Sequence, residues 1–346
     1  MSLLNQVSIL IVTYRGDDLL ATCLKSLTAI DPQRELEVIV VDNSPAESTR
    51  RLVLEGEGAD VRRYVASPAY GKVPMGNSGF AGGNNLGWRL CTRPYVLLLN
   101  NDTKAFSADS ITLLAQFLAD HPTCGAVQGK LILPYENNLL GGTGGALTPF
   151  GFQLAFGFRV PDAPEYDRAY PAFSACGAFM MVRVDAVKKA GNFLFRTHFW
   201  SYYEEIDLCH RLWLAGYEVW YTPTPPIAHY LGQTSSKFPR ADVMKRYLRN
   251  QYYSLSVSCS WYTRAYLIPS FCGILFAYGA FQMLCGRGAL GLASWSACLT
   301  GWRERARIKA GRRQVRRFRR ISDRQLMPKI MRMPSPRALF RKALVK

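Results

Sequence analysis

The sequence predicts an α/β fold: a mostly parallel sheet covered by helices, followed by a helical region of apolar and aromatic character. Three observations carry this. Short apolar runs rich in β-branched residues recur through the first hundred residues and alternate with apolar sets spaced three to four apart. The runs are continuously apolar, as in a sheet buried on both faces. Each run is followed by Thr, Asp or Asn, at the strand ends where such sheets hold their ligands.

The first run, Val7 to Thr13, reads as a strand, and Asp17 and Asp18 followed by Leu19, Leu20, Cys23, Leu24 and Leu27 read as a helix. Leu36 to Val41 is the second strand, ended by the turn sequence Asp42-Asn43-Ser44-Pro45. A third strand is expected near Val61 to Val65 and a fourth at Tyr95 to Leu99. The candidate site residues after the strands are Thr13 and Tyr14, Asp42 and Asn43, and Asn100, Asn101 and Asp102. A dinucleotide-binding fold shares this outline but needs G-x-G-x-x-G directly after the first strand. Tyr14-Arg15-Gly16-Asp17-Asp18 stands there instead, which argues against it.

Charge is unevenly spread. Of the formal net charge of +18, residues 303–346 hold +15, from 17 basic and 2 acidic side chains. With 49% hydrophobic residues, disorder, collagen and coiled coil are excluded. Nine cysteines, an odd number with no C-x-x-C pair, argue against a zinc ribbon and a disulfide framework and for a reducing compartment. The N-terminal apolar run lacks the features of a signal peptide, so the expected location is the cytoplasm.

Further along, Glu204-Glu205-Ile206-Asp207 opens an expected helix carrying Leu208, Leu212 and Leu214, directly after the aromatic run Phe199 to Tyr203. Acids at a helix start complement the macrodipole. Paired carboxylates beside Trp200 and Tyr203 also suit a sugar site, with rings to stack on pyranose faces and a base to take a hydroxyl proton. Of four histidines, His229 alone has a plausible ligand setting, after Pro223-Thr224-Pro225-Pro226.

Six motifs in order resemble the inverting family 2 glycosyltransferases of GT-A fold, and within them a bacterial rhamnosyltransferase-like branch. They are Val7 to Tyr14; Val40-Val41-Asp42-Asn43-Ser44; the glycine-rich Gly76-Asn77-Ser78-Gly79-Phe80-Ala81-Gly82-Gly83-Asn84-Asn85-Leu86-Gly87; Leu97 to Asp102; Tyr203 to Arg211; and His229 with Gly232 and Ser235. The resemblance implies that Thr13, Tyr14 and Asp42 hold the nucleotide, that Asn77, Gly79 and Asn84 belong to a loop over the donor, and that Asn100 faces the ribose, with Asn101 also on the nucleotide sugar. It implies Asp102 and His229 as contacts for Mg²⁺ or Mn²⁺, Glu205 as the base with Glu204 and Asp207 beside it, and Trp200 and Tyr203 as acceptor contacts. The sequence departs from the pattern in three places. Asn100 and Asn101 stand where the metal motif often has another acid, Glu205 where Asp is usual, and Gly191-Asn192-Phe193-Leu194-Phe195 where the branch shows Gly-Gly-Phe-Asp-Glu.

The implied reaction moves a sugar, foremost L-rhamnose from dTDP-rhamnose, onto a hydroxyl of a lipid-linked glycan; a UDP-sugar donor is the alternative. The expected organisation is a transferase domain over residues 1–240, a membrane-associating helical region over 241–302, and a basic tail over 303–346. From Ala265 to Gly286 no residue is charged, enough to cross about 30 Å of hydrocarbon as a helix, although Pro269, Gly273 and Gly279 favour an interfacial or re-entrant arrangement, with a soluble helical subdomain as the next alternative and a true span after it. Arg312, Arg313, Arg316, Arg317, Arg319 and Arg320 fall at helical spacings that make one basic face. A catalytically silent nucleic-acid or membrane tether is the competing class. The adjoining uncharged aromatic stretch favours anionic lipid over nucleic acid, at the cytoplasmic face of the plasma membrane.

Overall fold

The computed structural model describes residues 3–56, 62–67, 77–231 and 238–334. The first third alternates as expected: β1 (Val7–Thr13), α1 (Asp17–Ile30), β2 (Glu37–Asp42), α2 (Glu47–Leu54), β3 (Arg62–Ala66), α3 (Gly79–Trp88) and β4 (Tyr95–Asn100). There follow β5 (Thr103–Lys104), α4 (Asp109–Asp120), β6 (Cys124–Gln128), β7 (Leu131–Leu133), β8 (Leu139–Leu140), β9 (Gly145–Leu147), β10 (Gln153–Ala155), β11 (Tyr170–Pro171), β12 (Phe179–Arg183) and α5 (Val184–Lys189). Then come α6 (Glu204–Leu214), β13 (Glu218–Tyr221) and β14 (Ile227–His229).

Eight strands form one sheet in the order β11-β13-β6-β12-β4-β1-β2-β3. β1 pairs in parallel with β2 and β4, and β2 with β3, but β12 runs antiparallel between β4 and β6, so the sheet is mixed. The parallel register sets Thr13 beside Asp42 and Val12 beside Asn100, which brings the polar strand ends to one edge. A second sheet, β5-β14-β7-β8, lies beyond that edge, with His229 paired to Thr103.

The uniformly apolar strands have their reason in two cores. Ile9, Ile11, Val38, Val40, Leu97 and Leu99 pack on one face, against α1 and α4. Leu10, Val12, Ile39, Val41, Val96 and Leu98 pack on the other, against α3 and α6. Burying each such side chain contributes about 1.5–3 kcal/mol, so both faces must be apolar. The glycine-rich run is a helix, α3, rather than a loop. A Cβ on Gly87 would stand 2.2 Å from Leu10 Cδ1, so glycine is what lets this helix lie directly on the sheet.

The C-terminal third is helical: α7 (Arg240–Ser258), α8 (Trp261–Leu284), α9 (Gly288–Cys298), α10 (Thr300–Arg303), α11 (Arg305–Phe318) and α12 (Asp323–Ile330). Pro269 sits inside α8 without ending it. The expected tail is corrected here. Ile308, Val315, Leu326 and Ile330 of residues 303–334 are buried in the same core as α6 and α7, and the Arg332 N–H donates to the Leu147 carbonyl. The apolar positions among the arginines demand a partner, and the transferase body supplies it. Arg312 and Arg319 are likewise drawn off the basic face, donating to the Ser256 and Ser258 carbonyls. Residues 335–346 lie outside the described residues. α8 is long and apolar enough to cross a membrane by length and composition. Only one stripe of it, including Leu267, Phe271 and Leu275, is buried, while Phe276, Phe281 and Leu284 are exposed, Leu284 by 88%. All nine cysteines are free.

Candidate active site

A cleft of about 320 Å³ opens at the carboxyl ends of β1 and β4. A larger depression of about 940 Å³ lies by Thr92, Arg93 and Val184, at the amino ends of the parallel strands. Ligands of such sheets bind at the carboxyl ends, so the smaller cleft is the candidate. Its walls carry Thr13, Tyr14, Asn77, Gly79, Asn100, Asn101, Asp102, Trp200, Glu204, Glu205 and His229, gathered from positions 216 residues apart in the chain.

The strand ends are cross-braced. Asn101 Nδ2 donates to Thr13 Oγ1 at 3.0 Å, and Arg15 stacks on the Tyr14 ring. β5 against β14 carries Asp102 to His229, with Oδ1 and Nε2 3.3 Å apart. Both side chains are buried, yet among the described residues Asp102 Oδ1, Asn100 Oδ1 and His229 Nδ1 have no hydrogen-bond partner, while His229 Nε2 faces Asp102 and the Asn100 amide. Buried polar atoms are nearly always satisfied, so orphaned oxygens on Asn100 and Asp102 beside the His229 ring mark a place built for something else. One carboxylate, one imidazole and an amide oxygen fit a divalent cation. No cluster of three or more His, Cys, Asp or Glu side chains suited to a metal occurs among the described residues, so phosphate and water oxygens would complete the shell, the habit of Mg²⁺.

The acidic pair stands on the first turn of α6, presented by an unusual loop. Trp200, Tyr202 and Tyr203 all have positive φ, 62°, 72° and 72°, a strain of about 1–3 kcal/mol each that the surroundings must hold. They are held from two sides. From α7, Asn250 Nδ2 donates to the carbonyls of Phe199, Ser201 and Tyr202 at 3.1, 3.1 and 2.8 Å. From α3, the Phe80 N–H donates to Ser201 Oγ and the Ala81 N–H to the Trp200 carbonyl. Gly79 is required at this junction: it has φ +72°, and a Cβ there would stand 2.2 Å from the Trp200 carbonyl oxygen. Burial pushes the Glu205 carboxyl up to about 7, and burial with the neighbouring Glu205 charge pushes Glu204 well above the carboxylate range. Glu205 thus changes protonation near neutrality, where its deprotonated form is both present and basic enough to take a hydroxyl proton. Trp200 lines the cleft with Arg246 stacked on its ring at 4.1 Å.

Four expectations are corrected. Asp207 does not line the cleft. It is fully buried between Arg196 and Arg211, 3.0 and 2.9 Å away, and accepts from Ser254 Oγ. Burial alone would raise its pKa, but the two guanidiniums outweigh this and hold it at about 2. It anchors α6 to α7. Tyr203 is also buried, against Tyr247, and Tyr202 takes the place at the cleft. Asn84 donates to the Phe80 carbonyl within its own helix, because α3 turns it inward. Asp42 is buried with both oxygens taken, by the Ser44 N–H and hydroxyl, the Ala46 N–H and the Tyr64 hydroxyl. It closes the β2–α2 turn and is not on the cleft wall. Gly76, Gly232 and Ser235 lie outside the described residues. Asn43, expected with Asp42 at the end of the second strand, bonds the Gly79 carbonyl and lines the cleft. The sequence reading missed Asn250, a helix-interior amide with no motif around it.

Comparison with known proteins agrees with this geometry. Residues 8–191 match the profile of the family "Glycosyl transferase family 2". A hexosyltransferase of low-salt glycan biosynthesis, Agl10 of Haloferax volcanii, is 26% identical over 215 residues, 61% of this chain and 62% of that protein. The chain thus matches less than two thirds of this relative's length. The rhamnosyltransferase WbbL of Escherichia coli is 25% identical over 248 residues, 67% of this chain and 86% of that one. Among solved structures, GalNAc-T7 with UDP, GalNAc and Mn²⁺ superposes with a TM-score of 0.57 at 12% identity, covering 88% of this chain and 57% of that one, a likeness of fold. With more than half of its residues matched and the sheet of a GT-A fold around the cleft, the chain belongs to glycosyl transferase family 2.

Proposed function

We propose that the protein transfers a hexosyl or deoxyhexosyl group, foremost L-rhamnose from dTDP-rhamnose, to a hydroxyl of a lipid-linked glycan, with inversion at the anomeric carbon. The observation that carries this reading is one cleft holding both the buried Asp102–His229 pair, with an oxygen of Asp102 left without a hydrogen bond, and the acidic pair Glu204–Glu205, with Glu205 raised to about 7. The names of the two curated relatives, a hexosyltransferase and a rhamnosyltransferase, support the sugar class.

In this reading Thr13, Tyr14, Asn77, Asn100 and Asn101 bind the nucleotide and diphosphate, and Trp200 with Tyr202 offers aromatic surface to the acceptor. Glu205 accepts the acceptor hydroxyl proton as that oxygen bonds to the anomeric carbon. The bond from that carbon to the diphosphate breaks on the opposite face, and the nucleoside diphosphate leaves. Asp102 and His229 would hold Mg²⁺ or Mn²⁺, which when bound neutralises charge on the leaving diphosphate. The acceptor's lipid fits a site of action at the cytoplasmic face of the membrane, with the exposed apolar side chains of α8 and α9 as the contact.

A panel of nucleotide sugars with Mn²⁺ or Mg²⁺, scored for slow hydrolysis, tests this without the acceptor. dTDP-rhamnose should be consumed faster than UDP-galactofuranose, UDP-N-acetylhexosamine or UDP-glucose. EDTA should stop it, and Asp102→Asn should not be rescued by excess Mn²⁺. A UDP-sugar consumed in preference would change the donor, and undiminished turnover in EDTA would remove the metal.

A further inference from the structure

Outside the active site, a strongly charged concavity adjoins the apolar helix α8. A groove of about 500 Å³ lies between the α7–α8 junction and the end of α11. Arg264, Arg312, Arg316, Arg319 and Arg320 line it, and no acidic side chain does. Three of these are fixed by the backbone: Arg264 donates to the Ser256 and Cys259 carbonyls, Arg312 to the Ser256 carbonyl, and Arg319 to the Ser258 and Ile321 carbonyls, with Asp323 beside it. Carbonyls orient the Arg264 and Arg312 guanidiniums but leave their charge uncompensated, whereas Arg319 is also ion-paired with the buried Asp323. Arg316 and Arg320 are exposed, and their side chains have no partner among the described residues. Burial, and after it the repulsion from Arg312, holds the Arg264 pKa below its ordinary range.

We propose that this groove binds the phosphate of an anionic phospholipid headgroup, and so sets the molecule's depth and orientation at the bilayer. A lipid is favoured over nucleic acid by what adjoins the groove. Arg264 is the last charged residue before the uncharged stretch Ala265 to Gly286, so the chain passes from phosphate-binding to hydrocarbon-facing character within one residue. Ala265, Tyr266, Ile274, Phe276, Phe281 and Leu284 then continue as exposed apolar surface on α8. Trp261, 74% exposed at the groove's rim, has the amphipathic ring suited to the headgroup layer. No Asp or Glu occurs from position 243 to 303 to repel an anionic surface. The inference rests on the membrane part of the proposed function and is independent of donor and chemistry.

The test is flotation of the full chain with vesicles of phosphatidylglycerol and phosphatidylcholine, against vesicles of phosphatidylcholine alone. Arg316→Ala with Arg320→Ala removes two groove charges. Arg313→Ala with Arg317→Ala removes two equally exposed charges of α11 that do not line the groove. Both pairs should keep the parent's thermal midpoint. The groove pair should weaken partitioning to anionic vesicles by about 30-fold, the scale of two basic residues at a charged surface, and the control pair by no more than about threefold. Equal losses would overturn the groove while leaving the membrane reading intact, because only net charge would then matter. A parent that floats with neither vesicle would overturn the membrane reading and the groove with it. A second arm uses inorganic phosphate at constant ionic strength: stabilisation of the parent but not of the groove pair, with both floating alike, would make free phosphate the ligand and overturn the lipid. Displacement of the parent from vesicles by single-stranded nucleic acid at low micromolar phosphate would also overturn it.

Discussion

Glu205 is the side chain on which the proposed chemistry depends, and its environment makes a pH prediction. Burial moves its carboxyl from 4.5 up to about 7, so the protonated form, useless as a base, prevails below neutrality. kcat/KM should therefore rise tenfold per pH unit below about 7 and level off above it. Glu205→Gln should lose transfer by at least about 10²-fold and lose that acid limb, with donor binding kept, as equilibrium binding of the nucleotide sugar would check. Loss of activity in Glu204→Gln with little change in Glu205→Gln would exchange their roles. The same shift has a stability consequence of definite sign. A carboxyl whose pKa is raised by folding stabilises the fold fully below the unfolded value near 4.5, and that contribution is lost as pH rises through about 7. The thermal midpoint of Glu205→Gln should therefore fall less between pH 5 and 8 than that of the parent. Asp207 is the counter-case, a carboxylate held ionised by Arg196 and Arg211 for structure. Asp207→Asn should cost about 3–5 kcal/mol in denaturant unfolding, because two buried guanidiniums would lose their counter-ion.

The elements that matter most are α3 and α7, which grip the 199–203 loop from opposite sides. Asn250 alone serves three carbonyls of that loop, and Arg249 donates to the neighbouring His198 carbonyl. Asn250→Ala should release strained backbone directly under the acidic pair. It should lower kcat by about tenfold with a small change in donor KM, and move the acid limb of the pH profile toward the ordinary carboxylate range as water reaches Glu205. A drop in stability with kcat and limb unchanged would make Asn250 structural only. Gly79→Ala tests the other grip. Its Cβ cannot coexist with the Trp200 carbonyl, so the α3 N-terminus and the loop should separate, with loss of activity and a lowered thermal midpoint.

At the scale of the whole molecule, the C-terminal third is part of the transferase rather than an appendage. α7 supplies Asn250 to the active-site loop, and α11 packs Ile308 and Val315 into the core. Glu304, on the α10–α11 junction, pairs with Arg249 at 2.5 Å. Removal of residues 303–346 should therefore give an unstable, aggregating protein rather than a soluble transferase freed from membranes. A truncated chain with the parent's thermal midpoint would refute this packing. Membrane contact is better tested by single exposed residues, such as Phe281 or Leu284, which touch the fold least.

Runs of apolar residues such as Val7 to Thr13 and Tyr95 to Leu99 marked four strands to within a residue or so, because burial on both faces leaves a sheet no other composition. The strand-end rule likewise reached Thr13, Asn101 and Asp102 from local sequence alone. What the sequence could not determine was side-chain direction and company. Asp42, Asn84, Tyr203 and Asp207 sit within the right motifs, yet each is spent on a turn, a helix carbonyl, an aromatic neighbour or an ion pair. Adjacent residues on a helix or in a tight loop point to different sides, and a motif does not say which side faces the cleft. Asn250 and the burial of the basic C-terminal helices were invisible for a related reason. Their partners lie from about 50 residues away, as for Asn250 with Phe199, to 185, as for Arg332 with Leu147, and only the packed chain brings them together.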